Sequence, residues 1–154
     1  MLRLAFSRAA AAFFVLSLAV FPAADRAQAG IFIAVDKGAQ RMSVMVDGKP
    51  RYSWAISTGL RGGPPSGTFR PQRLERMWHS RAYDWSPMPH SIFFHHGFAI
   101  HGTNYLSRLG RRASHGCVRL HPANAAMLFG LVKSRGMKST TIVISDSMPR
   151  MARR

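Results

Sequence analysis

Short segments typical of β-strands recur along this chain, and each one is bounded by turn-forming residues. Residues 31–35 form an apolar run, and residues 42–46 and 52–56 alternate in hydrophobicity on either side of an Asp-Gly-Lys-Pro turn. Two such segments joined by a turn predict a β-hairpin. Residues 91–94 and 98–101, joined by His-His-Gly, predict a second hairpin. Segments this short, connected this way, indicate a fold made mainly of β-strands.

One amphipathic helix is predicted to interrupt this pattern. Pro122 suits a first helical position, and Gly136 suits the residue that ends a helix. Apolar residues between them follow at the spacing of one helix face: Ala125, Leu128, Phe129 and Val132. Residues 140–144 predict a final strand. The fold class is therefore predicted to be mainly β, a sandwich-like domain with one principal helix.

Two stretches lack a regular period. Residues 59–67 contain four glycines and two prolines, which predicts a loop. Residues 69–89 mix Arg, Trp, Met and Pro, and we expect a long, partly ordered excursion over one face of the domain. A loop of this length is uncommon unless it covers a site. Its aromatic and Met side chains are expected either to form a lid over such a site or to pack against the sandwich.

The N-terminal residues have the layout of a secretory signal. Arg3 and Arg8 precede an apolar stretch at residues 9–21, and Ala-Gln-Ala at residues 27–29 is a cleavage pattern. An uncleaved membrane anchor is the alternative, although the apolar stretch is short for one. We therefore expect a signal peptide at 1–29, one domain at 30–145, and a basic tail at 146–154. The mature chain is expected to be secreted, in the periplasm or cell wall.

Positive charge dominates the chain, with 22 Lys and Arg against 6 Asp and Glu and a formal net charge of +16. A protein this basic outside the cytoplasm is expected to meet the polyanions of the cell envelope. Zinc-finger, helix-turn-helix and RNA-binding motifs are missing, which argues against specific recognition of nucleic acid. Apolar runs stay below the roughly 20 residues of a membrane-spanning helix, so no transmembrane segment is expected in the mature chain.

The single cysteine, Cys117, lies in the sequence Ser-His-Gly-Cys-Val-Arg. One cysteine excludes an internal disulfide, and a lone cysteine is most often a small buried apolar residue. Three neighbours favour a reactive thiol instead: Gly116 permits a tight backbone with converging amides, and His115 and Arg119 bring positive charge. Pro122 places Cys117 in a turn ahead of the helix. From this segment alone both interpretations remain open.

His101 is the second candidate for chemistry, since it lies where a strand pattern ends and its side chain can face a cleft. Seen alone, it would be an ordinary structural histidine. A thiol with a pKa of about 8.5 is mostly protonated at neutral pH, and a nearby imidazole can accept its proton. Cys117 follows in the next segment, so a Cys–His pair is a reasonable hypothesis.

A metal site is not expected, although the chain has seven histidines. Three lie close together in sequence, at His95, His96 and His101, with His79 and His90 upstream. The chain lacks a His-Glu-x-x-His pattern, and acidic ligands are scarce.

These segments together resemble a known family. His-Gly-Thr at residues 101–103 and Ser-His-Gly-Cys-Val-Arg-Leu at residues 114–120 closely resemble the signature of the L,D-transpeptidase catalytic domain, the YkuD-type domain. Residues 57–59 and 62–69 are similar to a loop of that family. The resemblance covers about residues 31–145. Its Ser-His-Gly-Cys-x-Arg part is a specific signal, whereas His-Gly-Thr alone is a weak one.

The resemblance implies catalytic roles for five residues. Cys117 would be the nucleophile, and His101 would act first as general base and then as general acid. The carbonyl of Gly102 would orient the imidazole in place of an aspartate. Backbone amides of His115, Gly116 and Cys117 would form the oxyanion hole, and the His115 side chain would shape the environment of the thiol.

Three further residues are implied at the substrate. Arg119 would bind a substrate carboxylate or hold the geometry of the site, with a structural ion pair or backbone clamp as an equal alternative. Ser114 and Thr103 would lie at the bound substrate, although Ser114 suits a hydrogen-bonding role within its loop better than a chemical one.

The implied reaction consists of two acyl transfers on peptidoglycan tetrapeptide stems. A thioester would form on Cys117 with release of D-Ala, and an amine of a second stem would then complete a 3→3 cross-link, without any cofactor. A protein lysine, a free D-amino acid or water could accept the acyl group instead, and water would make the protein an L,D-carboxypeptidase or amidase. A non-catalytic basic envelope-binding domain is the hypothesis of a different class.

Overall fold

The computed structural model describes residues 29–148. The proposed signal peptide up to residue 28 and the last residues of the proposed tail, 149–154, lie outside the described part. The described residues form nine strands and one α-helix, in the order β1 (Ile31–Asp36), β2 (Arg41–Val46), β3 (Lys49–Ala55), β4 (Gly67–Phe69), β5 (Arg73–Ser80), β6 (Ser86–His95), β7 (Phe98–Gly102), β8 (Val118–Leu120), α1 (Pro122–Arg135) and β9 (Thr140–Ser145).

Five strands make the first sheet, in the order β3-β2-β1-β9-β4. The apolar β1 lies at its centre, antiparallel to β2 and parallel to β9, so that the first and last strands of the domain are neighbours. The β2–β3 hairpin turns on Asp47 and Gly48 alone, with φ of 51° and 74°. Positive φ at both central residues is the two-residue turn that matches strand twist, and it is shorter than the four-residue turn that the sequence predicts.

The second sheet has the order β5-β6-β7-β8. The prediction of a partly ordered excursion over residues 69–89 is wrong, because most of this segment forms the regular hairpin β5–β6. Most β5 residues are exposed or half-buried on both faces, so the strand carries little of the alternation by which strands are recognised. His90, with a φ of 54°, also interrupts the regular backbone of β6.

The two sheets and the helix enclose one main core, which confirms the predicted sandwich-like, mainly β class. Buried residues come from the first sheet (Ile33, Val35, Val44 and Ile142), the second sheet (Ile92, Phe94, Ile100 and Val118) and the helix (Ala125, Leu128 and Val132). The helix packs chiefly against β6 and β7. The helix therefore backs β7, the strand that carries His101.

The helix has the boundaries that its sequence predicts. Pro122 occupies its first turn, and the Nδ1 atom of the preceding His121 accepts a hydrogen bond from the amide of Ala123 at 3.2 Å. Gly136 ends the helix with a φ of 92°, a conformation that glycine adopts without strain. Lys133 and Arg135 lie in the last turn, where positive charge is favourable.

The first residues of the expected tail remain attached to the domain. Asp146 pairs with Lys37 at 3.2 Å and with Arg112 at 3.7 Å, and its carboxylate accepts a hydrogen bond from Ser66. The amide of Met148 donates to Asp36. Within residues 29–148, none of the helical structure is long and apolar enough to cross a membrane.

Candidate active site

The pairing of β7 with β8 brings the two candidate catalytic side chains to one face of the second sheet. The strands are parallel, and His101 lies opposite Arg119. Paired residues on neighbouring strands point to the same face, as do residues two apart along a strand. Cys117 precedes Arg119 by two residues and therefore shares this face with His101. Both side chains line one cavity of about 750 Å³.

Cys117 lies in a bend ahead of the helix, and the short strand β8 separates the two. This strand supplies the register that aligns the thiol with β7.

His101 is a buried histidine with a defined tautomer. Its side chain is 5% exposed, and its Nδ1 lies 2.7 Å from the carbonyl oxygen of Gly102. Because a carbonyl oxygen only accepts hydrogen bonds, Nδ1 carries the proton and Nε2 keeps a free lone pair. Burial lowers the pKa of His101 to about 4; the hydrogen bond to Gly102 raises it and the charge of Arg119 lowers it further. The imidazole is therefore neutral at pH 7.

Cys117 is likewise neutral in the resting site. Burial raises the pKa of its thiol, against the opposing effects of a hydrogen bond from the Ala99 backbone and the charge of Arg119. Its Sγ lies 3.9 Å from the carbonyl oxygen of Gly97. Both groups line one cavity, and a neutral thiol can give its proton to an imidazole with an unprotonated Nε2 when an electrophile arrives.

Ser114 braces the loop that carries the cysteine. Its hydroxyl donates to the carbonyl of Cys117 at 2.6 Å and accepts from the amide of Gly116 at 3.0 Å. The Gly116 amide is thus directed into the loop, which argues against the oxyanion-hole role expected for it. The Ser114 hydroxyl is buried in these same bonds, so this geometry does not favour the expected contact with substrate.

Gly116 is nevertheless required at its position. Its φ is 152°, and a Cβ atom there would lie 2.8 Å from a ring carbon of Phe98. Neither the backbone nor the space accepts a side chain.

Arg119 is both a loop clamp and part of the cavity lining. Its backbone exchanges hydrogen bonds with Ser57 at 2.8 and 3.0 Å, and its guanidinium donates to the carbonyl of Ala113 at 3.3 Å. The guanidinium also lies 5.7 Å from the ring centre of Tyr105. Thr103 lines the cavity as well, and its hydroxyl accepts from the Tyr105 amide. These contacts are compatible with both expected roles of Arg119, which are binding of a substrate carboxylate and structural support of the site.

The β5–β6 hairpin builds one wall of the cavity, and sequence inspection missed this arrangement. Trp78 and Met88 pack with Cys117 in a small apolar cluster that also contains Phe93 and Ala99. At the hairpin tip, the ring of Tyr83 stacks on His115 at 4.2 Å and an angle of 11°. The hairpin side chains therefore pack next to Cys117 and line the cavity.

A buried glutamine supports the cysteine loop from the other sheet, and no sequence signal pointed to it. The Gln40 side chain bonds to the amide and hydroxyl of Thr58 at 2.9 and 2.7 Å. The carbonyl of Thr58 in turn accepts from the amides of Ala113 and Ser114, each at 3.0 Å. These contacts join residues distant in sequence, which no local pattern reveals.

Within the described residues, no three His, Cys, Asp or Glu side chains converge as a metal site would require. The groups that the cavity itself offers include a thiol, an imidazole and guanidinium groups.

Comparison with known proteins places this arrangement in a family. A family model of the L,D-transpeptidase catalytic domain matches residues 30–144. An L,D-transpeptidase from Mycobacterium smegmatis superposes with a TM-score of 0.67 at 23% identity, over 76% of this chain and 59% of that protein. One from Stackebrandtia nassauensis gives 0.67 at 24% identity, over 82% and 60%. LdtMt1, solved in complex with imipenem, gives 0.65 at 20% identity, over 75% and 59%.

At these identities the solved structures show a shared fold, and this chain spans about three fifths of their length. No curated protein sequence matches the chain. The family model alone covers well over half of it. The chain belongs to the L,D-transpeptidase catalytic domain family.

Proposed function

We propose that this protein is an L,D-transpeptidase that acts on peptidoglycan stem peptides through a thioester on Cys117. The observation that carries the proposal is the shared face of Cys117 and His101 in one cavity, with Nδ1 of His101 held by the Gly102 carbonyl at 2.7 Å. Membership of the family supports it. A thiol, an oriented base and a cavity are the minimum that acyl transfer requires.

In the first acyl transfer, the thiol proton passes to Nε2 of His101 as the sulfur attacks the carbonyl carbon that precedes the terminal D-Ala of a tetrapeptide stem. The resulting oxyanion would be held by the amides of His115 and Cys117, because the Gly116 amide is bonded to Ser114. The carbon–nitrogen bond then breaks, and His101 returns its proton to the leaving amine of D-Ala. A thioester remains on Cys117.

In the second acyl transfer, the amine of another stem attacks the thioester carbonyl. His101 accepts a proton from this amine, the carbon–sulfur bond breaks, and the sulfur recovers a proton from His101. The product is a 3→3 cross-link. The thioester conserves the energy of the original amide bond, so the reaction needs no nucleotide and no cofactor outside the cell.

The electrostatics of the site suit this sequence of steps. The low pKa of His101 keeps the imidazole unprotonated, and hence able to act as a base, throughout the neutral range. Oxyanion stabilisation by preorganised amides is commonly a large contribution, since loss of one donor typically lowers the rate by about 10²–10³-fold. The tight Gly116 backbone supports that preorganisation.

The proposal extends to the location of the protein. Residues 1–29 would direct export, and residues 30–145 would work as the catalytic domain in the periplasm or cell wall. After export, residues 30–154 would keep 19 Lys and Arg against 5 Asp and Glu, and this net charge of +14 would hold the mature chain at the anionic envelope.

Mass spectrometry of muropeptides tests the reaction. Mature protein and its Cys117→Ala variant would each be incubated with disaccharide-tetrapeptides. We expect a cross-linked dimer that has lost one D-Ala, and we expect it to be missing with the variant. A Cys117-dependent tripeptide without any dimer would instead establish an L,D-carboxypeptidase. Unchanged muropeptides in both samples would contradict the proposal.

A β-lactam provides an independent test of the nucleophile. LdtMt1 has been solved in complex with imipenem. We expect the protein described here to gain the mass of one imipenem, and peptide mapping to place the adduct on Cys117. An adduct on a serine, or an unmodified protein, would count against the assignment of Cys117.

A further inference from the structure

The cavity around Cys117 is cationic. Among the described residues that line it there are three arginines, Arg73, Arg81 and Arg119, and no Asp or Glu. Arg73 is paired with Glu75 at 2.8 Å. Arg81 and Arg119 form no ion pair with any acidic residue of the described part. The cavity is therefore lined by two guanidinium groups that form no ion pair within the described part of the chain.

These two arginines belong to different walls. Arg119 lies on β8 beside the reacting groups, where it shares a face with Cys117. Arg81 lies in the turn of the β5–β6 hairpin, and its guanidinium is 5.8 Å from the ring centre of Trp85. The stacking of Tyr83 on His115 holds this turn against the loop that carries Cys117. A ligand seated on Cys117 thus has one cation near the reacting bond and a second one on the hairpin wall of the cavity.

A guanidinium that stacks on an aromatic ring keeps its N–H edge available for a carboxylate. Arg119 uses one nitrogen for the carbonyl of Ala113, which leaves other donors for a ligand. The same cavity is also lined by the apolar side chains of Trp78, Met88 and Phe93. An apolar lining together with two cations suits an extended peptide with carboxylates at separate positions.

We propose that Arg81 binds a second free carboxylate of the acyl donor, so that the protein selects stems in which this carboxylate is not amidated. The inference rests on the proposed function, because the donor is the stem peptide that acylates Cys117. A carboxylate forms a charge-assisted, bidentate bond with a guanidinium, whereas a primary amide has the same shape without the charge. Arg81 would therefore determine specificity without touching the reacting atoms.

The test compares synthetic tetrapeptides in which every carboxylate is free with analogues in which one carboxylate at a time is a primary amide. Dissociation constants would be measured by calorimetry with the Cys117→Ala variant, which binds donors without turnover. Amidation of one particular carboxylate is expected to weaken binding about tenfold, the effect of one partly exposed charged hydrogen bond. In the Cys117→Ala/Arg81→Gln variant the same amidation is expected to change binding by less than about twofold.

Arg76→Gln is the matched control. Arg76 is exposed on β5 of the same hairpin and does not line the cavity, so it makes the same change in charge outside the site. We expect this variant to keep the tenfold discrimination. Equal discrimination with and without Arg81, for every carboxylate, would overturn the inference and leave the proposed function intact. Failure of all stems to bind would overturn both.

Discussion

At the scale of single residues, burial determines the protonation of the candidate catalytic pair. His101 is the more strongly affected, because its imidazole lies inside the domain and the hydrogen bond to Gly102 only partly offsets the loss of solvation. Desolvation disfavours the charged form of both a histidine and a cysteine, and it therefore moves their pKa values in opposite directions. The result is a neutral pair ready for proton transfer, in place of a preformed thiolate–imidazolium pair.

The low pKa of His101 also makes stability depend on pH. The pKa is about 4 in the folded protein against 6.5 for the ordinary residue, so the unfolded chain binds more protons between these values. This stabilisation is complete above about pH 6.5 and is lost as the pH falls towards 4, with a total of about 3 kcal/mol. Urea unfolding of the His101→Gln variant should therefore show a flatter pH dependence than the parent between pH 7 and 4.5. Parallel curves would contradict this explanation.

At the scale of elements, the cysteine loop depends on a segment of the opposite sheet. Gln40 lies in the β1–β2 turn, with a φ of 50° and 5% exposure. Its side chain connects that turn to Thr58, and Thr58 connects to the amides of the loop at Ala113 and Ser114. Buried polar groups are stable only when they are fully paired. The loop geometry around Cys117 therefore depends in part on one buried amide side chain, in addition to the contacts of Ser114 and Arg119.

Replacing this amide by an apolar side chain of similar size tests the connection. Gln40→Leu leaves the amide and hydroxyl of Thr58 without their partner, so the free energy of unfolding should fall by about 2–4 kcal/mol. Chemical denaturation measures this change, and the rate of imipenem labelling should fall with it even where the protein is fully folded. Gln72→Leu is the control, because its side chain is exposed. Equal stability of the two variants would contradict the role of Gln40.

The β5–β6 hairpin is the part of the fold whose secondary structure could not be predicted from the sequence. Its strands lack alternation because β5 is buried on neither face, and only its partner β6 contributes fully buried residues. The hairpin is held by its register with β7 and by the stacking of Tyr83 on His115. Neither contact leaves a local trace in the sequence.

At the scale of the whole molecule, the two ends of the described chain stabilise the loop next to the site. The ammonium group of Lys37 is buried, where it donates to the carbonyl of Pro64 and pairs with Asp146. Residues 59–67 lie directly behind the cysteine loop, since a Cβ on Gly63 would lie 3.4 Å from Gly116. The start of the tail thus helps to position the loop that backs Cys117.

Two C-terminal truncations distinguish the contribution of the start of the tail to thermal stability from that of the residues after Met148. A chain ended at Ser145 loses Asp146 and leaves the Lys37 ammonium buried without its carboxylate, so its melting temperature should fall. A chain ended at Met148 keeps that ion pair and the hydrogen bond from the Met148 amide to Asp36. Its melting temperature should therefore equal that of the full-length chain. Thermal unfolding by circular dichroism distinguishes them, and identical melting of all three chains would contradict a role for Asp146.

Local patterns of the sequence were sufficient for most of the elements outside the β5–β6 hairpin and for singling out the candidates His101 and Cys117. The strand alternation, the Pro122 and Gly136 boundaries of the helix, and the segments around His101 and Cys117 each depend on neighbours within a few residues. Their physical cause is local, in backbone preference and in the period with which side chains reach one face. The sandwich-like class follows from the same patterns, because such strands must bury one face.

Only the tertiary structure decided how these pieces meet. The parallel register of β7 and β8 places Cys117 and His101 on one face, the Ser114 hydroxyl accepts a hydrogen bond from the Gly116 amide, and Arg81 reaches the cavity from a distant hairpin. Each of these depends on contacts between segments far apart in the chain. Such contacts are selected by packing of the complete core and by strand register, and no short window of sequence contains both partners.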